Sequence, residues 1–586
     1  MKTKIYYLSA LTVLLAGFAL NCQSPDEKET DTRQVPVIEK PTVQKDNRAS
    51  AERNEPDEVS ALEDHMYKAE EYKMAEEAPA APAQTYSRNK KSQKYKGMPA
   101  VANSGYLTAQ QRYNPNFNTE SYDRIYENGF LDPEKNALST FSVDVDTASY
   151  SNTRRFLNMG SLPPKDAVRI EEFINYFSYD YENAPEDKPF SVSAEVSKTP
   201  WNPKHKLVHI GIKGREIQAE KMPPRNLVFL LDVSGSMSAA NKLPLLKKSM
   251  KLLVNQLDEK DSVAIVVYAG ASGLVLPPTE GSSKQTILDA LEKLNAGGST
   301  NGGQGIELAY KTAEEMMKKN GINRVILATD GDFNVGVTGR GGLTRLIEEK
   351  RKTGIFLTVL GFGMGNYKDS SMESLADKGN GNYAYIDNFN EAKKVLVNEA
   401  GATLVTIAKD VKIQVEFNPA LVQAYRLIGY ENRALKDEDF NDDKKDAGEI
   451  GAGHTVTALY EIVPHGVEIN AGSVDPLKYQ KPSVKVSNNK ELMTVKLRYK
   501  EPDKDSSKLL SFPVNDSGVS FENSSENFRF SSAVAMYGML LRDSEYKGKS
   551  NYDLVYDTAR SALGKDEQGL RAEFLRLVKL SQGMSS

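Results

Sequence analysis

The plainest pattern along the chain is an unbroken apolar run, Leu227-Val-Phe-Leu-Leu231. A strand with one wet face alternates apolar and polar residues, so a run without alternation fits a strand buried on both faces. After it, Leu245, Leu246, Met250, Leu253 and Leu257 recur at helical spacing across 242–257. Apolar stretches at 262–268, 324–330, 356–362 and 382–386 read as further strands. Helical periodicity fills 284–294, 305–319, 343–352, 370–378 and 390–405. Strands alternating with helices predict an α/β domain at 224–405, a Rossmann-like, doubly wound, mostly parallel sheet. In such sheets ligands bind beyond the carboxyl ends of the strands.

The two flanks are patterned differently. Residues 138–146 alternate like a strand, 147–159 and 165–177 read as helices, and 190–196 and 206–213 as strands. This predicts a small α+β N-terminal domain at 122–223. Beyond the central domain, 411–417 alternates strictly, and 455–463 and 492–499 resemble it. Helical periodicity returns at 528–541, 552–563 and 570–580, which predicts a β-rich plus helical C-terminal domain at 406–586.

Residues 1–22 carry an address. Two lysines precede an apolar stretch from Ile5 to Leu20, shorter than the ~20 residues a spanning helix needs. The only cysteine, Cys22, follows directly in Ala19-Leu20-Asn21-Cys22. This resembles the bacterial lipobox, although the pattern prefers Leu where Ala19 stands and a small residue where Asn21 stands. The alternative is an ordinary signal peptide with an incidental cysteine. The lipobox implies lipidation of Cys22 and a membrane anchor; Gln23 and Ser24, with no Asp, point to the outer membrane. Residues 23–121 are too poor in apolar side chains to offset the entropy of ordering them, so they read as a disordered linker, with a short helix conceivable at 61–75.

Three polar pieces fall at strand ends or helix starts in the central domain. Asp232-Val-Ser234-Gly-Ser236 follows the apolar run, Gly297-Gly-Ser-Thr300 precedes a helix, and Asp330-Gly-Asp-Phe-Asn334 follows another strand. Carboxylates and hydroxyls are hard oxygen ligands suited to magnesium first, and to manganese or calcium. Asp-x-Ser-x-Ser with a distant Thr and a distant Asp resembles the metal-ion-dependent adhesion site of von Willebrand factor type A (VWA) domains. The resemblance implies that Ser234, Ser236 and Thr300 ligate directly, and Asp232 and Asp330 directly or through water. One coordination position would stay open for an acidic residue of a protein partner. The flanks resemble those of YfbK-like VWA lipoproteins, through 141–150 and Arg154-Arg155-Phe156-Leu157 on one side and through the C-terminal segment on the other.

Other motifs weigh less. Asp144-Val-Asp146-Thr147 invites comparison with haloacid-dehalogenase-type phosphatases, but Ala148 stands where their motif wants Thr or Val. A strand end capping the next helix is the simpler reading. The acidic run 437–443 starts like an EF-hand loop, yet Asp442 replaces its turn glycine and Gly448 its bidentate Glu. Gly548-Lys-Ser550 lacks the first glycine of a P-loop, Asp543 standing there, so no nucleotide site is expected.

Composition narrows the picture. At 586 residues the length fits about three to four domains, and 39% hydrophobic residues allow a substantial core. A net charge of −5 without a long basic run gives no reason to expect nucleic acid. One cysteine excludes an intramolecular disulfide, and the five histidines form no zinc pattern. The sequence therefore predicts a lipid-anchored cell-envelope protein that binds a protein partner through a divalent cation. No nucleophile elbow or Ser/His/Asp set points to an enzyme. The alternatives are a metal-dependent hydrolase and a purely structural envelope scaffold.

Overall fold

The computed structural model describes residues 119–586, apart from 299–301, 332–338, 470–489 and Ser586. The expectations for Cys22, the linker, the helix at 61–75 and Thr300 lie outside the described residues.

The central domain is built on a six-stranded sheet. Its strands are β4 (Arg225–Asp232), β5 (Ser262–Tyr268), β6 (Ser272–Glu280), β7 (Ile322–Thr329), β8 (Ile355–Phe362) and β9 (Tyr383–Ile386). Their order is β6-β5-β4-β7-β8-β9, all parallel except the edge strand β6. The apolar run is buried on both faces, as expected. Leu227, Phe229 and Leu231 enter one core, while Val228 and Leu230 enter the other. The sheet order reverses between β4 and β7, and at such a switch point the connections part and leave a crevice.

Sequence reasoning missed β6. It buries little besides Leu276 and carries two prolines, Pro277 and Pro278, which only an edge strand tolerates. The last helix, expected over 390–405, is broken. It runs as Phe389–Lys393, a π-turn at Lys394–Asn398, and Ala400–Leu404. At the π-turn the buried Lys394 pairs with Glu399 at 2.9 Å and lies over the Tyr176 ring at 4.3 Å.

The flanks do not form two separate domains, which corrects the predicted boundaries at 122–223 and 406–586. The N-terminal strands are β1 (Leu138–Ser142), β2 (Phe190–Lys198) and β3 (Lys206–Gly214). Those after the central domain are β10 (Thr406–Phe417), β11 (Val422–Ile428), β12 (Gly448–Gly451), β13 (Thr455–Pro464), β14 (Met493–Lys500) and β15 (Ser507–Val514). One sheet runs β1-β10-β14-β15 with β12 also on β10; the other runs β11-β13-β3-β2. Phe141 of β1 is opposite Ile413 of β10, and Leu459 of β13 is opposite His209 of β3. Both sheets send side chains into one core, where Phe417 stacks on Tyr425 at 3.8 Å and Phe190 meets Tyr499 edge-on at 4.9 Å. The result is a sandwich made by both flanks, with the α/β domain inserted between its strands.

Helices follow the same rule. In the N-terminal flank, α1 (Ala148–Asn158) and α2 (Ile170–Asn175) share an aromatic core with α10 (Glu526–Arg542), α11 (Tyr552–Arg560) and α12 (Leu570–Ser585). The helix expected over 165–177 is a 3₁₀ turn, Lys165–Ala167, followed by α2. Thr147 makes no capping bond at the start of α1. Asp144 and Asp146 turn instead to Arg433, so the capping expectation fails. The acidic 437–443 run forms a 3₁₀ turn, Asp437–Asn441, in which Asp437 accepts from Thr140 Oγ1 at 2.7 Å. No helix of the described residues is long and apolar enough to cross a membrane.

Candidate metal centre

Asp232 ends β4 and Asp330 follows β7, so the switch point sets both carboxylates at one crevice. Both are fully buried. Asp232 Oδ1 accepts the backbone N–H of Ser234 at 2.8 Å, which curls the loop back over the strand end. That turn brings Ser234 Oγ and Ser236 Oγ to 2.9 Å from each other. Ser234 is buried and Ser236 is exposed, so the hydroxyl pair leads from the crevice to solvent.

The loop ahead of Thr300 is tied to this turn. Gly235 N–H donates to Gly298 O at 3.0 Å, and Gly297 N–H donates to Val233 O at 2.8 Å. Gly298 has φ +80°, a conformation that favours glycine. On the Asp330 side, Gly331 has φ +107°, and a Cβ there would stand 2.8 Å from the backbone of Asn366, Tyr367 and Lys368. No side chain fits that position.

The electrostatics favour a cation. Burial, with the nearby charge of Asp330, pushes the Asp232 carboxyl up to about 6 despite its bonds to Ser234. Asp330 Oδ1 is buried and accepts no hydrogen bond. An orphaned carboxylate oxygen of this kind is costly unless a further ligand meets it. The described donors are all oxygen, as a hard divalent ion requires. The residues present therefore fit a divalent cation.

Sequence reasoning missed three neighbours. Lys242 Nζ donates to Asp330 Oδ2 at 2.8 Å and to Asn366 Oδ1 at 3.3 Å. Lys242 read only as the start of the helix that forms as α3 (Leu243–Asn255); no local signal aims its ammonium at a residue 88 positions on. Thr329 Oγ1 lies 3.4 Å from Asp232 Oδ2. Tyr268, at the end of β5, sits beside Asp232 as well.

A doubly wound sheet with Asp-x-Ser-x-Ser at its switch point defines a VWA domain. The family model described as von Willebrand factor type A domain matches residues 226–398. Domains of this class generally mediate metal-dependent protein–protein interactions and commonly bind a divalent cation. On the flanks, the model described as uncharacterized protein YfbK, C-terminal, matches 402–584, and one described as von Willebrand factor matches 116–209. Over 496 residues the chain is 45% identical to the uncharacterized protein YfbK of Escherichia coli (strain K12), covering 83% of this chain and 85% of that one. The chain belongs to the YfbK family. Among solved structures it is similar to the conserved hypothetical protein BatB of Bacteroides thetaiotaomicron, at 24% identity, TM-score 0.26, 30% of this chain and 96% of that one. It is also similar to a von Willebrand factor type A protein of Catenulispora acidiphila, at 14% identity, TM-score 0.36, 65% of this chain and 89% of that one.

Proposed function

We propose that this protein is a lipid-anchored binding module of the cell envelope, not an enzyme, whose VWA domain holds a divalent cation and uses it to bind a protein partner. Asp232, Ser234, Ser236, Thr300 and Asp330 would hold the ion, magnesium first and manganese or calcium as alternatives. When bound, the ion supplies a Lewis-acidic point for an acceptor oxygen. The observation that carries the reading is the buried, unpartnered Asp330 Oδ1 at the crevice that also holds Asp232 and the Ser234–Ser236 pair. Hydroxyl ligands neutralise little of the ion's charge, so an Asp or Glu of the partner is the fitting group to complete its shell. Solvent reaches the crevice at the exposed Ser236.

Isothermal titration with magnesium tests the cation. Heats in the wild type should vanish in Asp232→Ala, and unchanged heats in that variant would sink the assignment. Pull-down from envelope extracts tests the partner, which should be lost on chelation and in Asp232→Ala; a partner set indifferent to both contradicts the reading. Anchoring rests on Cys22. Labelled palmitate should enter the wild type and not Cys22→Ala.

A further inference from the structure

Residues 119–122 lie along the loop 363–368, which follows β8. Thr119 N–H donates to Gly365 O at 2.8 Å and Ser121 N–H to Tyr367 O at 3.2 Å, with Ser121 bridged in parallel to Lys368. Lys368 Nζ donates in return to Thr119 O. Between these bonds the Glu120 side chain, 3% exposed, holds two parts of the molecule at once. Its Oε1 accepts Gly365 N–H at 2.8 Å, and its two oxygens accept from the Arg155 guanidinium of α1 at 3.0 and 2.9 Å. Tyr122 O–H donates to Glu120 Oε2 at 3.0 Å and accepts from Asn152 Nδ2 at 2.8 Å. Glu120 therefore spans the seam between the VWA domain and the body made by the flanks. A carboxylate that meets a guanidinium through both oxygens is strongly and directionally held.

The same loop is a wall of the metal crevice. Gly331, next to Asp330, packs on it so closely that a Cβ there would stand 2.8 Å from the backbone of Asn366, Tyr367 and Lys368. Asn366 Oδ1 accepts from Lys242 Nζ at 3.3 Å, and that ammonium also donates to Asp330 Oδ2 at 2.8 Å. At Gly363, where φ is +77°, a Cβ would collide with the Lys242 stem. Loop 363–368 thus carries residues 119–122 as well as the Lys242–Asp330 pair.

We propose that Thr119–Tyr122 is a strap that holds loop 363–368 against the crevice, and that Glu120 is a positioning residue for the cation bound there. The proposal rests on the crevice holding a cation. With the strap docked, the wall is fixed in advance, so ordering it does not count against binding the ion. Asn366 also shares the Lys242 ammonium, which leaves Asp330 freer to meet the ion. With the strap released, the loop relaxes and Lys242 answers Asp330 alone, in competition with the ion. Residues 1–118 join the fold through Thr119, so a pull on the N-terminal end reaches the strap before any other described element. The coupling is reciprocal: a strap that tightens the ion is itself tightened by the ion.

Titration calorimetry with magnesium and hydrogen exchange, both on the full chain, test it together. Ser121→Pro deletes the N–H that meets Tyr367 O, at an exposed position, and leaves every buried charge paired. Glu120→Ala removes the grip itself. Each should weaken magnesium binding about tenfold, within the usual range of coupling between sites. Ser121→Ala, which keeps the N–H, should bind as the wild type does. In EDTA, Ser121→Pro should speed exchange in 363–368 and in the segment that ends at Gly331. Magnesium added to the wild type should slow exchange in 119–122. Affinity unchanged in both Ser121→Pro and Glu120→Ala, or exchange that rises only within 119–122, overturns the strap. A wild type that binds magnesium no better than Asp232→Ala overturns the crevice reading, and exchange in EDTA then decides the strap by itself. Should Glu120→Ala not fold, Ser121→Pro against Ser121→Ala decides both arms.

Discussion

Replacing Lys242 by methionine should tighten magnesium binding at the VWA crevice while weakening the metal-free protein. The ammonium lies 2.8 Å from Asp330 Oδ2, and both side chains are buried. At that separation the attraction is about 6 kcal/mol with an effective dielectric constant of ~20, most of it offset by desolvation. Removing one member of a buried pair and leaving the other charged costs about 3–5 kcal/mol. Metal-free Lys242→Met should lose that much stability, since Asp330 would then keep no described cationic partner. A cation at the crevice supplies positive charge to the same carboxylate, so the loaded variant loses less. The difference appears as affinity, because stability and binding close one thermodynamic cycle. If the loaded protein loses half as much, binding tightens by about 2 kcal/mol, roughly thirtyfold. Urea unfolding in EDTA gives the first quantity. Titration calorimetry, scored on the heats that Asp232→Ala abolishes, gives the second. A magnesium affinity equal to or weaker than wild type would refute the idea that Lys242 and the ion share Asp330.

Two further outcomes follow from buried charge. His209 is pushed down to about 4 by burial, so the folded state stays neutral where the unfolded chain, near 6.5, takes up a proton. Its contribution is complete above pH 6.5 and is lost as pH falls toward 4, about 2 kcal/mol of it by pH 5; urea unfolding of His209→Gln should lose less stability than wild type by that amount between pH 7 and 5, and equal losses contradict the reasoning. Arg154, 2% exposed, pairs with Asp387 and Glu391 of the VWA region and with Glu573 of α12. Arg154→Met should cost about 3–5 kcal/mol in urea unfolding by stranding those acids, and a loss under 1 kcal/mol would show that solvent reaches them.

What the chain discloses depends on how far apart the partners stand. The switch-point crevice was legible because each piece is local: an apolar run long enough to be β4, and a turn of five residues that folds back on its own strand end through Asp232 and Ser234. The doubly wound order was legible for the same reason, since every strand of the central sheet but β5, which runs on into the edge strand β6, is followed by a helix. Pairing across the insertion has no such signature. Leu138 lies opposite Glu416 and Lys198 opposite Lys206, yet nothing in β1's five residues says that its neighbour is hundreds of positions away rather than eight. Loop-closure entropy explains why evolution can afford this, because its cost grows only with the logarithm of the inserted length. The two ends of the insertion meet one turn, where Gly453 N–H donates to Arg215 O at 3.2 Å and Ala452 N–H donates to Val405 O at 2.9 Å.

The acids at the seam were illegible for a related reason. Asp144-Val-Asp146 read as a helix cap because its charges were judged against the next few residues. In the folded chain they answer Arg433, nearly three hundred residues on, and Asp146 Oδ1 accepts the backbone N–H of Tyr383 in the VWA sheet at 2.8 Å. Glu171 and Glu172 are adjacent in sequence but meet different surroundings. Glu172 accepts from Ser149 N–H and pairs with Arg169, whereas Glu171 is buried against the backbone of Gly429. A pair of glutamates is unremarked in any helix; the surroundings of Glu171 come from the turn after β11, where Gly429 and Glu431 stand more than 250 residues on. The same insertion that hides the sandwich from the sequence also separates Asp144 and Asp146 from Arg433, which is why that pairing could not be read along the chain.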